Sequence, residues 1–302
     1  MRPQGPGHVS VLLSAVVELL APAGRRLLVD CTVGLGGHAE ALLDAAGTDA
    51  RLIGIDLDEG NLARAKINLE RFGERVRLFQ ANFADVAEVL DEAGQGPADL
   101  LLADLGVSST QLDDPGRGLS FQADGPLDMR MNAGGGQTAA DLVNRLPEAE
   151  LADVIFSYGE ERHSRRVARA IVAARRDKRI ERTAELARIV TGAIPGAGAS
   201  VRRGIHPATR TFQALRIAVN DELGSLDRLL ANLPDVLAPR ARAGIISFHS
   251  LEDRRVKQSF ANLAATGRAR ALTKKPECAT VAEVAVNPRS RSAKFRVVEW
   301  VR

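Results

Sequence analysis

Apolar residues in the first third of the chain fall into short continuous runs, each closed by glycine or polar residues. Four of them, Leu27–Thr32, Leu52–Asp58, Val76–Asn82 and Leu100–Leu105, read as strands. Between them, stretches near His38–Ala46, Asn61–Arg71 and Ala84–Ala93 carry apolar residues at helical spacing. Strands alternating with helices in this way predict βαβ units that feed a parallel sheet. A fifth strand, Gly244–Phe248, follows only after a long interval. Val281–Val286 and Lys294–Val301 read as two more strands joined by a turn at Asn287–Ser292. Ahead of the first strand, Val9, Leu12, Leu13, Val16, Val17 and Leu20 recur at helical spacing and Glu18 interrupts the apolar run. That pattern predicts an amphipathic helix rather than a signal peptide. No uninterrupted apolar run is long enough to cross a bilayer.

Residues 113–207 break the alternation. A loop-like stretch from Asp113 through Gly136 precedes helical patterns at Ala139–Arg145, Glu148–Phe156, Arg162–Arg175 and Thr183–Ala193. The expected organisation is therefore a discontinuous α/β domain, 1–112 with 208–302, carrying an inserted helical substrate-binding domain, 113–207.

Composition sharpens this. The 302 residues are 45% hydrophobic and 26% charged, enough for a sizeable core. The net charge of +3 hides an asymmetry: residues 1–110 sum to −7 and residues 111–302 to +10. Of the 41 cations 35 are arginine, which suits nucleic acid but also follows from codon bias in a GC-rich genome. The clustering speaks more clearly than the total. Arg162–Arg182 holds nine Arg and Lys against Asp177 and Glu181, and Arg268–Arg296 holds eight against Glu277 and Glu283. Either run is a solvated face or a phosphate-gripping surface. With aromatics at only 4%, a multi-base stacking platform is not expected, so RNA shape and backbone would dominate recognition. Two cysteines, Cys31 and Cys278, make no disulfide framework, and no metal-ligand spacing exists, so no metal is expected and a cytoplasmic setting is the default.

The first strand ends Val29-Asp30-Cys31-Thr32-Val33 and enters Gly34-Leu35-Gly36-Gly37-His38-Ala39. Glycines there let a ligand approach the N-terminus of the next helix, as in a dinucleotide-binding loop. Asp56, twenty residues after Gly36 at the end of the second strand, suits a ribose diol. Two features favour S-adenosylmethionine over NAD. Asp30 would hold a cationic amino group and repel a pyrophosphate. Asn82-Phe83, after the third strand, would bond and stack an adenine, although Phe83 also fits an ordinary core position. Asp104, at the tip of the fourth strand, stands where a methyl acceptor would sit.

With Asp104-Leu105-Gly106-Val107-Ser108-Ser109-Thr110-Gln111-Leu112-Asp113 the chain resembles the bacterial 16S rRNA cytosine-N4 methyltransferases, the MraW/RsmH family. The resemblance runs nearly end to end, through His8–Leu13, Asp30–His38, Asp124–Met131, Gly159–Arg166, His206–Arg216, Ser247–Arg254 and Asn287–Lys294. It implies a Rossmann-like class I S-adenosylmethionine-dependent methyltransferase fold. It also implies methyl transfer to the exocyclic N4 of one decoding-centre cytidine, cytidine 1402 of 16S rRNA in the small ribosomal subunit. Carried over by position, the family's cofactor contacts fall on Gly36, Gly37, His38, Asp56, Phe83, Asp104 and Gln111, beside Asp30 and Gly34 from the loop argument. The resemblance leaves room for a homodimer and gives no reason to expect a membrane partner.

Cytosine N4 is a poor nucleophile because its lone pair is delocalised into the ring, so alignment and water exclusion matter most. An acceptor for an N4–H bond would take up developing charge. Asp104 is the first candidate, with cofactor anchoring or capping of the following turn as its other readings. His249 and Asp253 are weaker candidates for contacting the base or relaying the released proton, and a structural role for His249 stands beside that. Many amino-directed methyltransferases follow this acid with two prolines and an aromatic, which Leu105-Gly106-Val107 lacks, so the groups that orient the amine stay open. Carbon-5 methylation would need a cysteine nucleophile in a Pro-Cys or Thr-Cys pair, and radical chemistry a three-cysteine cluster; neither is present. An NAD-dependent oxidoreductase and a non-catalytic RNA-binding assembly factor remain the competing readings.

Overall fold

The apolar runs of the front third become parallel strands because both of their faces are covered. In a computed structural model that describes residues 10–196 and 206–301, the chain forms two compact units. One runs up to Gly106 and resumes at Leu223; the other spans Val107–Glu222. His8 and Val9, which the sequence motif and the first helical pattern include, lie outside the described residues.

The first unit is built on strands β1 Leu27–Asp30, β2 Arg51–Asp56, β3 Val76–Gln80, β4 Ala98–Asp104, β5 Leu237–Ser247, β6 Ala269–Ala271, β7 Glu277–Cys278 and β8 Lys294–Trp300. Among the described residues they form one sheet in the order β3-β2-β1-β4-β5-β8-β6, with β7 pairing on β8. Strands β1 to β5 pair in parallel, and β6, β7 and β5 meet β8 antiparallel. Successive side chains alternate between two apolar clusters. Leu27, Val29, Leu101 and Ala103 face helices Val86–Glu92, Glu222–Val236 and Ser250–Ala265, while Leu28, Leu100 and Leu102 face helices Leu13–Leu20 and Gly37–Ala46. Strand order reverses between β1 and β4, and a ligand crevice in such sheets opens at the carboxyl ends beside that point. This is the Rossmann-like α/β fold expected for a class I methyltransferase.

The second unit is helical, with helices Ser109–Asp113, Ala139–Arg145, Glu148–Gly159, Ser164–Asp177, Thr183–Ala193 and Thr209–Asn220 among its described residues. Its core joins Leu151, Ile155, Val167, Ile171, Leu186, Phe212 and Leu215. The units part at Gly106/Val107 and Glu222/Leu223, whereas the sequence placed the insert at 113–207. The cause is packing: Val107 and Leu112 at the front, and Phe212 and Leu215 at the back, belong to this helical core. The loop-like stretch is held by a close backbone crossing, since a Cβ on Gly125 would stand 1.8 Å from the Pro115 carbonyl oxygen.

One strand expectation fails. Val281–Val286 is a helix, because Thr280 caps it by accepting from the Glu283 backbone N–H at 3.1 Å. Its run V-A-E-V-A-V has no polar alternation, and both Val281 and Val286 are exposed. Pro288–Ser292 then makes a 3-10 turn into β8. No helix among the described residues is long and apolar enough to cross a membrane.

Candidate active site

The predicted acids gather at the carboxyl ends of β1, β2 and β4. Asp30 ends β1 and is fully buried; its Oδ1 accepts from the Thr32 backbone N–H at 3.1 Å, while its Oδ2 has no hydrogen-bond partner. Asp104 ends β4 with its side chain 23% exposed. Its backbone N–H donates to Thr32 Oγ1 at 2.6 Å, and its Oδ1 is buried without a partner. Burial raises the Asp30 carboxyl to about 7, with the Asp56 charge adding to the rise and the Thr32 bond opposing it. Asp104 is pushed well above the ordinary carboxylate range by burial first and then by the charges of Asp30 and Glu252. Among the described residues no lysine or arginine forms an ion pair with either acid; the basic group near Asp104 is His38, whose Nδ1 lies 3.7 Å from Oδ2.

The glycine loop completes this corner. Gly36 precedes helix Gly37–Ala46 with φ +88°, a conformation that favours glycine. Gly34 donates its N–H to Asp56 Oδ2 at 2.9 Å, and Asp58 donates to Oδ1 at 2.8 Å. Asp56 is thus aimed by backbone donors, and the Asn61 amide shares a longer bond between its two oxygens at 3.4 and 3.3 Å. Burial raises its pKa, against the bonds from Asp58, Gly34 and Asn61. His38 is buried on the first turn of that helix, its Nε2 2.8 Å from the Val11 carbonyl. Since a carbonyl only accepts, Nε2 carries hydrogen, which turns Nδ1 toward Asp104.

Other sequence candidates sit differently. Phe83 lies half-buried against the sheet core, and Asn82 caps the turn Phe83–Asp85 by accepting from Ala84 N–H at 2.9 Å while donating to Ser225 Oγ at 3.0 Å. Gln111 lies in the helical unit, buried, in a reciprocal cap with Ser108. His249 caps helix Ser250–Ala265, with Nδ1 3.4 Å from the Glu252 N–H. Its Nε2 lies 3.2 Å from Glu252 Oε1 yet makes no hydrogen bond. Asp253 is the opposite of Asp104. Its Oδ1 accepts from Arg296 Nε at 2.7 Å and its Oδ2 from Lys294 Nζ at 3.1 Å. Burial alone would raise its pKa, but Arg296 and Lys294 hold it below the usual range, which suits an anchor for β8 better than a proton acceptor.

Two residues of this site escaped the sequence reading. Thr32 seats Asp104 through its hydroxyl. Glu252, buried, accepts from the Phe248 and His249 N–H groups at 2.8 and 3.2 Å and adds negative charge beside Asp104. The His-x-x-Glu spacing of a reciprocal helix cap was the available signal for Glu252.

Carboxylates with buried, orphaned oxygens and no lysine or arginine partner suit a cationic ligand. S-adenosylmethionine fits this donor set: Asp30 and Asp104 would meet positive charge, Asp56 would meet a diol, and the Gly34–Gly37 turn would give backbone access.

Comparison with known proteins shows the family. The model of the MraW methylase family matches residues 6–301. The chain is similar to ribosomal RNA small subunit methyltransferase H of Geotalea uraniireducens, 49% identical over 97% of this chain and 98% of that one. The proteins of the same name from Geobacter sp. strain M21 (51%, over 97% and 98%) and Synechococcus sp. strain CC9605 (54%, over 97% of each) are comparably similar. A crystal structure of an rRNA methylase from Streptococcus thermophilus aligns over 96% of this chain and 94% of its own, at 10% identity and a TM-score of 0.42.

Proposed function

This chain belongs to the MraW methylase family, and from that premise we propose that it methylates the exocyclic N4 of cytidine 1402 in 16S rRNA, held in the small ribosomal subunit. The protein is an S-adenosylmethionine-dependent methyltransferase, which displaces the oxidoreductase and non-catalytic readings. The relatives' names support a small-subunit rRNA as substrate. The observation that carries the chemistry is the pair of buried, unpartnered carboxylate oxygens on Asp30 and Asp104.

When bound, S-adenosylmethionine supplies a methyl group activated on a sulfonium. Asp30 holds its amino group, Asp56 its ribose diol, and Gly34, Gly36 and Gly37 give it backbone access, with His38, Phe83 and Gln111 assigned by resemblance. Asp104 accepts a hydrogen bond from the N4 amine and so aligns its lone pair with the methyl carbon. The positive charge that N4 gains on methylation would be stabilised by the Asp104 carboxylate. The surplus N4 proton then leaves to Asp104 or solvent. His38 lines the corner beside Asp104, Glu252 holds the His249 backbone N–H, and Asp253 anchors β8. The setting is the cytoplasm, and a homodimer is the assembly to look for by light scattering.

The test is methyl transfer from labelled donor to small subunits of a strain lacking the activity, followed by nucleoside mass spectrometry. N4-methylcytidine with the native protein supports the reading. Its absence, or methylation at another atom, refutes it.

A further inference from the structure

The nine cations between Arg162 and Arg182 are not equivalent. Three work inside the helical unit. Arg175 donates to the Val143 carbonyl at 2.7 Å, Arg179 to Asp141 Oδ1 at 3.0 Å, and Arg182 to Asp124 Oδ2 at 2.9 Å. Arg179 and Arg182 thereby tie the segment after helix Ser164–Asp177 to helix Ala139–Arg145 and to the Asp124 loop. The others face solvent. Arg162, Arg165, Arg166, Arg176 and Lys178 are exposed and have no acidic partner among the described residues. Arg169 has only a 3.5 Å approach from Glu148 and is 76% exposed.

At about 100° per residue, Arg165, Arg166, Arg169 and Arg176 fall within an arc of about 100°. The opposite side of the helix, Ser164, Val167, Ala168 and Ile171, is buried. The arginine row extends roughly 16 Å at 1.5 Å per residue, enough to meet several phosphates. Resting on the rRNA reading above, we propose that this row is the surface by which the helical unit grips the RNA backbone, leaving base recognition to the other unit. Ala173 is the exposed side chain between these arginines, so the face offers charge and forked donors without an apolar anchor. A basic helix that enters a lipid surface needs its apolar side free, and here that side is the core of the unit.

The test uses the full chain with four arginines changed together, R165Q/R166Q/R169Q/R176Q, beside the same four as lysines and beside R179Q/R182Q. Affinity for naked 16S rRNA and for small subunits is measured from 50 to 300 mM salt. The glutamine variant is expected to flatten the log–log salt slope by roughly 3 to 4, at about 0.7–0.9 for each of four lost phosphate contacts. Its KM for small subunits rises more than tenfold; the lysine variant restores the slope, and R179Q/R182Q keeps it. Thermal unfolding of the four-glutamine variant close to native excludes a folding effect, since all four side chains are exposed. A native salt slope in that variant overturns the proposal. Absence of cytidine methylation by the native protein refutes the rRNA reading instead, and the native protein's methyl transfer is therefore measured in the same series.

Discussion

Asp104 and Asp253 stand near the ends of neighbouring parts of one sheet, and they have opposite surroundings. Asp253 has a cation on each oxygen, Arg296 on one and Lys294 on the other. Asp104 has a buried oxygen with no partner and shares its corner with Asp30, which has another. An acid whose counter-charge is built into the chain holds the fold together. An acid denied one keeps the fold at a cost until a ligand brings the charge. The arginines of the helical unit divide the same way, with Arg179 and Arg182 inside ion pairs and Arg165, Arg166 and Arg176 outside them.

Breaking the site half of the comparison has the largest effect. Asp104→Asn keeps the shape and removes the charge, and is expected to lower methyl transfer by about a thousandfold, in the range seen when a transition-state-stabilising group is lost. Mass spectrometry of the nucleoside product reads this directly, and cofactor affinity within tenfold of native separates an acceptor role from an anchoring one. On the other side, Asp253→Ala strands Arg296, which is 9% exposed, and should cost about 3 kcal/mol of stability by denaturant titration. Its cofactor affinity should change less than threefold.

The pH response sharpens the same contrast. Asp30 has a folded-state pKa raised to about 7, so the folded protein without cofactor binds a proton that the unfolded chain releases. Its stability contribution therefore grows as pH falls from 8 through 7 toward the unfolded carboxylate range. Thermal unfolding of the cofactor-free protein should show Tm rising from pH 8 to 6, and Asp30→Asn should flatten that rise. Cofactor affinity should run the other way, falling below pH 7 as the carboxylate gains its proton. Asp253, held low by its cations, contributes stability that is present above the unfolded carboxylate pKa and lost only in acid.

The smallest effect is expected at Asn82. Its side chain caps a turn and bonds Ser225, so Asn82→Ala should cost about 1 kcal/mol, measurable by denaturant titration. A cofactor affinity loss above tenfold in that variant would return Asn82 to the adenine-binding role the sequence suggested.

Much of this was legible in the chain because strands buried on both faces write themselves as apolar runs, and those runs end at Asp30, Asp56 and Asp104. The helical patterns at Ala139–Arg145 and Thr183–Ala193 matched the observed bounds. Pairing was not legible. Nothing local distinguishes Asp253 from Asp104, since the cations that hold Asp253 come from β8, some forty residues later. Val281–Val286 is too short to show a period, and the helix sign there is the Thr280 cap with Glu283 three residues on. The insert ended too early because Phe212 and Leu215 show their allegiance only through packing.

If the unpaired carboxylates, and not the paired one, form the ligand site, only their loss should weaken cofactor binding. Calorimetric titration of S-adenosylmethionine at pH 8 into the native protein, Asp30→Asn and Asp253→Asn tests it most directly. Affinity should fall about a hundredfold, roughly 2.7 kcal/mol, for Asp30→Asn and less than threefold for Asp253→Asn. Native affinity in Asp30→Asn, or an equal loss in both variants, would contradict it.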